Sequence, residues 1–494
     1  MEDQTVRVRF APSPTGRMHV AGARTALYNY LYARRWGGTF ILRIEDTDRK
    51  RFVPQAEQEL IDGLEWLGLH CDEGPGVGGA FGPYKQTERL EIYREHAEVL
   101  VRNGRAFPCF CTPDRLERIR QEQLKQKLNP HYDGTCRRLS PEEAARRLRA
   151  GERHVIRLKT PQEGATTVVD LLRGEITVEN QMIDDAILMK SDGFPTYHFA
   201  AMVDDHLMKI THVIRGSEWQ STLPLHAQVL RAFGWEEPVW VHLSVFLKPS
   251  GKGKMSKRDA AQAIQDGHSI FAGDLKELGY IPEGVLNWIV LMGWGVAENE
   301  VMSLNEMVQR FDLTALNPAP AAVDFAKLDH FNATHIRALE ATDLAQRLKP
   351  FFERAGLAVD AERLLAVIPL LRERLVTLDD CVAFGGFFFR ERVDPNPADL
   401  VGKELTARAS AQALRRSLQV LERLPEITPE TADAPMRALV EEMGLTAGQV
   451  FGVLRVAITG QKVSPPLFES MAVIGKGRVL ERIRNAITTL ERMG

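Results

Sequence analysis

Near the start of the chain, apolar residues first recur at every second position, then at helical spacing, and then in a short continuous run. Residues 6–10 (VRVRF) alternate apolar and polar side chains, which is typical of a β-strand. Residues 11–18 contain two prolines and a glycine, so they indicate a loop. Apolar residues from Ala23 onward share one helical face, and a glycine pair ends that helix. Residues 40–44 (FILRI) then predict a second, buried strand.

Strand, helix and strand in this order predict a β-α-β unit with parallel strands and a right-handed crossover. The loop would lie where open parallel sheets bind ligands. His19, Ala21 and Gly22 precede the predicted helix, whose unpaired N–H groups and positive dipole end favour phosphate. A lone histidine there can equally be a helix cap. This loop lacks the G-x-G-x-x-G fingerprint, so we expect a nucleotide-binding domain that is not an NAD site.

A second stretch, PSGKGKMSKRD at residues 249–259, is strongly basic. Its cationic residues are Lys252, Lys254, Lys257 and Arg258. A run of charge by itself is usually a solvated surface. Here, however, PSPTGRMHVAGAR and KMSKR occur in one chain and in that order. Together they resemble the two signature motifs of the class I aminoacyl-tRNA synthetases.

The closer resemblance is to the glutamyl-tRNA synthetases. It is carried between residues 9 and 258 by RFAPSPTG, RIEDTD, DEGP, GPYKQTERL, HVIRLK, KSDGFPTYHFA and VDDHLMKITHVIRGSEW. The resemblance implies a multidomain protein, α/β plus all-α, with a Rossmann-like doubly wound parallel sheet, an α+β insertion and C-terminal helical anticodon-binding modules. It also implies a ligase that attaches L-glutamate to tRNA(Glu) through glutamyl-adenylate, cleaving ATP to AMP and pyrophosphate.

We expect six parts in chain order. They are the first half of the catalytic domain (1–106), an insertion that binds the tRNA acceptor end (107–183), the second half of the catalytic domain (184–250), the lysine loop with a stem-contact helical region (251–330), and two anticodon-binding helical modules (331–392 and 393–494). Prolines at 395 and 397 indicate a hinge between the last two.

Composition excludes several classes of protein. A chain of 494 residues with 44% hydrophobic and 26% charged residues is typical of a multidomain globular protein. No apolar run approaches the ~20 residues of a membrane helix, so we expect no membrane partner. Five cysteines do not form a disulfide framework, which favours the cytoplasm. A net charge of −3 argues against indiscriminate nucleic-acid binding.

For the nucleotide, the resemblance assigns His19, Lys254 and Lys257 to catalysis, through charge stabilisation rather than nucleophilic attack. The implied ATP-binding residues are Ala21, Gly22, Ser256, Lys257 and Arg258. Mg²⁺ would neutralise part of the triphosphate. The family usually has glycine where this chain has Ala21, and the added methyl group could crowd the adenine or only trim the cavity.

For the amino acid, an arginine is the side chain best suited to bind a carboxylate. Arg9 and Arg215 each end a predicted strand, and with Tyr197 they could enclose the γ-carboxylate of glutamate. Glu45 would then hold the α-ammonium group, with Ser13 nearby. The resemblance places these same five residues in the glutamate site. Asp204, Asp205 and His206 are interpreted as scaffolding around it.

The insertion carries the one metal-like pattern that we find in the sequence. Cys109, Cys111 and Cys136 could form three corners of a tetrahedral zinc site, with Tyr132 or a more distant group as the fourth. Three cysteines without metal is the other interpretation. Arg138 stands where some family members have a histidine, and it cannot bind zinc. A structural zinc would stabilise the insertion without taking part in the chemistry.

The RNA partner follows from the resemblance, which places an anticodon-sensing arginine near Arg372 and Arg374. A surface arginine on a helix is the commoner outcome. One alternative is a non-discriminating enzyme that also charges tRNA(Gln); a glutaminyl enzyme fits less well, because paired arginines suit a carboxylate. The others are a small-molecule nucleotidyltransferase and a non-catalytic tRNA-binding paralogue. We expect a monomer.

Overall fold

The computed structural model describes residues 5–48, 53–253, 255, 257–295 and 300–493. The chain divides into two compact units. The first consists of Met1–Leu275 and Leu286–Phe325, and the second of Lys276–Val285 and Ala326–Gly494.

All strands in the described ranges belong to the first unit. They are β1 (Arg7–Phe10), β2 (Thr39–Leu42), β3 (Ala106–Cys109), β4 (Val155–Leu158), β5 (Ala165–Asp170), β6 (Gly174–Glu179), β7 (Ile187–Met189), β8 (His212–Gly216), β9 (Val239–Leu243), β10 (Phe246–Leu247) and β11 (Ala321–Ala322).

The α-helices alternate with these strands and then continue alone. They are α1 (Val20–Arg35), α2 (Ala56–Trp66), α3 (Leu90–Arg102), α4 (Pro113–Lys125), α5 (Pro141–Arg149), α6 (Tyr197–Leu207), α7 (Leu223–Phe233), α8 (Lys257–Gln265), α9 (Ala272–Glu277), α10 (Pro282–Leu291), α11 (Leu304–Arg310), α12 (Phe325–Ala338), α13 (Ala341–Arg354), α14 (Ala361–Leu371), α15 (Asp380–Gly385), α16 (Ala407–Arg423), α17 (Pro429–Glu442), α18 (Ala447–Thr459), α19 (Leu467–Ile474) and α20 (Lys476–Glu491).

The central sheet is parallel, as the β-α-β pattern predicts. Strand β1 pairs with β2 from Arg7↔Thr39 to Phe10↔Leu42, and β8 pairs with β9 in the same sense. The N–H of Thr211 donates to the carbonyl of Arg7 at 2.9 Å, so β8 begins beside β1 on the side away from β2. The four strands therefore lie in the order β2-β1-β8-β9, with their carboxyl ends at one edge. The Rossmann-like fold class is confirmed.

Two element boundaries differ from those that the sequence predicts. Helix α1 begins at Val20 rather than Ala23, because His19 caps it one turn earlier than the apolar period starts. Strand β2 ends at Leu42, and only an isolated parallel bridge, from Ile44 to Lys85, continues its direction.

The segment between the two halves of the sheet contains an antiparallel sheet of order β3-β4-β7. Helices α4 and α5 have no buried residue, so their charged faces are exposed. Strands β5 and β6 form a hairpin, and β5 pairs with β9 through Asp170↔Trp240. This hairpin therefore joins the central sheet, although the sequence assigns it to the insertion. The predicted domain boundaries stay predictions.

The second unit is helical throughout its described residues. Its buried apolar core contains Phe389 and Leu400, which lie on either side of the predicted boundary at residue 393. Within the predicted hinge, Pro397–Leu400 forms a single 3-10 turn.

Candidate active site

A cavity of about 460 Å³ opens at the carboxyl edge of the central sheet, where β1, β8 and β9 end. Every residue predicted to bind glutamate lines it: Arg9, Ser13, Glu45, Tyr197 and Arg215. It is also lined by His19, Ala21 and Gly22 from the first turn of α1 and its cap. The structure thus brings the five predicted glutamate residues together with His19, Ala21 and Gly22 in one site.

His19 is the N-cap of helix α1. Its Nδ1 atom accepts a hydrogen bond from the backbone N–H of Ala21 at 3.0 Å. The interpretation of Ala21 and Gly22 as loop residues ahead of the helix is wrong, because both lie in its first turn. The N–H groups of Val20 and Ala21 are already engaged, by the carbonyl of Ile270 at 2.8 Å and by His19. The positive dipole end of the helix is therefore what favours phosphate at this turn.

Arg9 is buried and ion-paired. Its Nε and Nη2 atoms donate to the two oxygens of Asp205 at 3.0 and 3.4 Å. Arg43 also donates to Asp205, at 2.8 Å, and to Glu45, at 2.9 Å. Although burial opposes it, the charges of Arg9 and Arg43 hold the pKa of Asp205 below its usual range. Arg9 therefore reaches the cavity with its charge partly compensated.

A second carboxylate, Asp204, anchors the elements behind this cluster. It accepts hydrogen bonds from Arg89 at 2.7 Å, Tyr93 at 2.8 Å and Gln86 at 2.9 Å. Such buried charges require partners, and here they have them. The structure confirms that Asp204 is part of the scaffold. His206, grouped with it in the sequence, is exposed and stacks on Trp235 away from the cavity.

Arg215 is held differently. Its Nε donates to His242 at 3.0 Å, its Nη2 to His226 at 2.9 Å and its Nη1 to the Tyr197 hydroxyl at 3.5 Å. Trp219 stacks on Tyr197 with the ring centroids 4.1 Å apart. Both histidines are missing from the sequence-based site. A histidine within the apolar strand VWVHL was the available signal for His242.

The lysine loop reaches the same cavity through Met255, which lines it. Lys254 and Ser256 lie outside the described residues, as do the side chains of Lys257 and Arg258. The backbone of Lys257 begins helix α8.

The three cysteines of the insertion meet as predicted. Their Sγ atoms all lie within 4.8 Å of one another, with Cys111 and Cys136 3.6 Å apart. The Tyr132 hydroxyl is 3.5 Å from Cys109 and 3.7 Å from Cys111, at the remaining corner of the group. The side chain of Arg138 donates instead to the carbonyl of Asp133.

The predicted anticodon residues form a 3-10 turn at the end of α14 in the second unit. Arg372 is half-buried and donates to the carbonyl of Arg337 at 3.5 Å. Arg374 is also half-buried. Neither is a fully exposed helix-surface arginine.

Comparison with known families covers most of the chain. Residues 5–330 match the catalytic domain of class I tRNA synthetases (E and Q), and residues 343–487 match an anticodon binding domain. The chain therefore belongs to the class I aminoacyl-tRNA synthetases of the glutamate and glutamine group. No helix in the described ranges has the length and apolarity that crossing a bilayer requires.

Full-length relatives identify which enzyme of this class the chain resembles. The chain is 42% identical to glutamate–tRNA ligases of Dehalococcoides mccartyi and Chloroflexus aurantiacus, over 99% of its length and 99% and 98% of theirs. It superimposes on a crystal structure of a glutamate tRNA ligase from Elizabethkingia meningosepticum in complex with its amino acid, with a TM-score of 0.89 and 36% identity over 99% of this chain and 100% of that one. The predicted enzyme class, glutamate–tRNA ligase, is confirmed.

Proposed function

We propose that this enzyme joins L-glutamate to tRNA(Glu) with ATP as the energy source. The observation that carries the proposal is the single cavity in which Arg215 and Arg9 share a wall with His19 and the first turn of α1. Cationic donors suit a carboxylate, and a helix N-terminus suits phosphate. One cavity can therefore hold an acidic amino acid against a nucleotide.

The chemistry needs alignment more than a protein nucleophile. An oxygen of the α-carboxylate of glutamate attacks the α-phosphorus of ATP, and the bond from that phosphorus to pyrophosphate breaks. The terminal ribose 2′-hydroxyl of the tRNA then attacks the acyl carbon of the adenylate, loses its proton, and AMP leaves. His19, Lys254 and Lys257 would stabilise charge on the phosphate oxygens, and Ala21, Gly22, Ser256 and Arg258 would contact the nucleotide. Bound Mg²⁺ would offset part of the triphosphate charge.

The ends of the amino acid would be distinguished by charge. Arg215, Arg9 and Tyr197 would bind the γ-carboxylate, and Glu45 would accept from the α-ammonium group, with Ser13 beside it. Burial raises the pKa of Glu45, while the guanidinium of Arg43, 2.9 Å away, favours its charged form. The ion pair supports Glu45 as the carboxylate that faces the ammonium group.

The test is pyrophosphate exchange with ATP, glutamate and tRNA, with glutamine as the competitor. We expect exchange that depends on glutamate and resists glutamine. Because the adenylate in the resembled family forms with tRNA bound, each reaction is run with and without tRNA. Absence of glutamate-dependent exchange under both conditions would contradict the proposal.

The RNA partner would be read by the second unit, through Arg372 and Arg374. Charging assays with tRNA(Glu) and tRNA(Gln) separate the discriminating from the non-discriminating enzyme. Arg374→Gln should raise the KM for tRNA without changing the KM for ATP, whereas a change in both would place its effect elsewhere. Native mass measurement tests the proposed monomer, and cell fractionation tests the proposed cytoplasmic location.

We also propose a structural zinc in the insertion. Four sulfur ligands about 2.3 Å from zinc lie about 3.8 Å apart in a tetrahedron, and sulfur-to-oxygen edges are slightly shorter. The 3.6 Å between Cys111 and Cys136 and the 3.5 and 3.7 Å from Tyr132 to Cys109 and Cys111 fit those edges. The backbone N–H of Phe110 donates to the Cys136 sulfur at 3.3 Å, as an outer-shell partner would. These three separations suit the ion, and all three sulfur atoms lie within 4.8 Å of one another. A bound zinc would stabilise the insertion.

A further inference from the structure

Two of the buried arginines beside the cavity, Arg24 and Arg215, have no carboxylate among the described residues as a direct partner, whereas the others do. Arg9, Arg43 and Arg89 face three carboxylates, those of Glu45, Asp204 and Asp205. Arg215 forms no ion pair within the described part of the chain, although it is only 5% exposed. Arg24, the other buried arginine of the cavity wall, directs its donors to the carbonyls of Ser244 and Met292. Arg215 instead directs two of its donors to imidazole nitrogens.

These hydrogen bonds specify the tautomer of each ring, because a guanidinium can only donate. His242 accepts from Arg215 at Nε2, so it carries its hydrogen at Nδ1 and donates it to Asp170 at 2.7 Å. His226 accepts at Nδ1, so it carries its hydrogen at Nε2 and donates it to Nδ1 of His198 at 2.9 Å. Protonation of either ring would place two hydrogens in one contact. Both imidazoles are therefore neutral while they hold Arg215.

Burial favours the same state. Desolvation, followed by the charge of Arg215, lowers the pKa of His226 well below its usual value. Desolvation also lowers the pKa of His242, although Asp170 opposes it, and the pKa of His198. The neutral rings persist through the neutral pH range.

Some N–H groups of the Arg215 guanidinium remain available to a ligand. Three of its five N–H groups have partners in the described residues: the two histidines and Tyr197. One N–H is left on each terminal nitrogen, and both can donate to a carboxylate. A carboxylate in place of either imidazole would hold the guanidinium equally well but would cancel its charge.

We propose that His226 and His242 are specificity-determining positioning residues for the amino acid. As neutral acceptors they fix the guanidinium of Arg215 without forming an ion pair with it, so the side-chain carboxylate of the substrate would be its direct counter-charge. Glutamine, whose side chain is a neutral amide, would leave the buried charge of Arg215 without a counter-charge. Binding of glutamine is therefore disfavoured. This inference rests on the proposed function, in which Arg215 binds the γ-carboxylate of glutamate.

The experiment compares kcat/KM for glutamate with kcat/KM for glutamine in pyrophosphate exchange. His226→Glu replaces a neutral acceptor by a charged one, and His226→Gln keeps it neutral. We expect the preference for glutamate to fall at least about tenfold in His226→Glu and to stay within about threefold in His226→Gln. His206 is exposed and lies in the same helix as His198. His206→Gln is therefore the control, and it should leave the preference unchanged.

Two results would overturn the inference: an unchanged preference in folded His226→Glu, or an equal loss in His226→Gln. If His226→Glu does not fold, His226→Leu against His226→Gln decides. Loss of the acceptor in His226→Leu should raise the KM for glutamate at least about tenfold, with His226→Gln near the parent value. A purely packing role predicts the reverse order. A parent enzyme without glutamate-dependent exchange would contradict the proposed function instead, so the two failures are distinguishable.

Discussion

The Nδ1 atom of His19 and the backbone N–H of Ala21 are joined by a 3.0 Å hydrogen bond. The side chain that begins helix α1 is thereby oriented by the helix it caps. Because Nδ1 accepts, the neutral ring carries its hydrogen at Nε2. The cap thus determines which nitrogen of His19 can donate to a phosphate oxygen.

His19→Asn and His19→Ala separate capping from catalysis. Asparagine is a good N-cap, so His19→Asn should keep the stability of the parent, whereas His19→Ala should lose about 1 kcal/mol. Both should lower glutamate-dependent exchange by a factor on the order of 10²–10³, since neither supplies the ring N–H. Urea unfolding and exchange kinetics measure the two effects. Full activity in His19→Asn would remove His19 from the proposed chemistry.

Removal of the Arg482 side chain should destabilise the helical unit. This buried arginine donates to the carbonyls of Ile458 at 2.6 Å, Phe387 at 2.9 Å and Arg390. Arg482→Met leaves these carbonyls without a donor and should cost about 2–4 kcal/mol in the free energy of unfolding. Arg484→Met, which removes an exposed pair with Glu422, should cost at most about 1 kcal/mol. Equal losses in the two variants would contradict this account.

Zinc content tests the cysteine site directly. The purified enzyme should contain about one zinc per chain, and Cys111→Ser should contain much less. Cys71→Ser, a change far from the cluster in sequence, should retain the metal. Tyr132→Phe identifies the fourth ligand, because it should weaken zinc retention against a chelator only if the hydroxyl binds the ion. A parent enzyme that contains no zinc after metal-supplemented expression would contradict the proposed zinc site and favour three cysteines without metal.

Acid should destabilise the first unit through His212. Burial lowers the pKa of His212 from 6.5 to about 4. Between these pH values the unfolded chain binds a proton at His212 that the folded chain does not. The contribution of neutral His212 to the free energy of unfolding is therefore fully present above about pH 6.5 and is lost as the pH drops towards 4. His212→Gln should reduce the proton uptake on unfolding in this window by about one. The exposed His131→Gln is the matched control, and an unchanged slope in His212→Gln would contradict the prediction.

The elements that surround the site follow from the apolar pattern. Alternation in residues 6–10 and the helical period after Ala23 predict β1, α1 and their loop, and hence the ligand edge of the sheet. The start of α1 does not follow from that pattern, because a side-chain cap rather than an apolar face determines its first turn.

The support of Arg215 shows where sequence reasoning ends. His226 and Arg215 are 11 positions apart, and Asp170 and His242 are 72 apart. Nothing in one sequence records which of 13 histidines meet across β5, β8, β9 and α7. Arg9 illustrates the same limit, since its charge suggests a substrate contact but its partner Asp205 lies 196 residues away.

The return of β5 to the central sheet has a practical consequence for chimeric enzymes. Asp170 ends that strand and orients His242, so a graft of residues 107–183 from a relative would also exchange part of the proposed amino-acid pocket. Placing the second cut between Leu158 and Ala165 instead would transplant the first part of the insertion, through β4, and leave this carboxylate in its native setting.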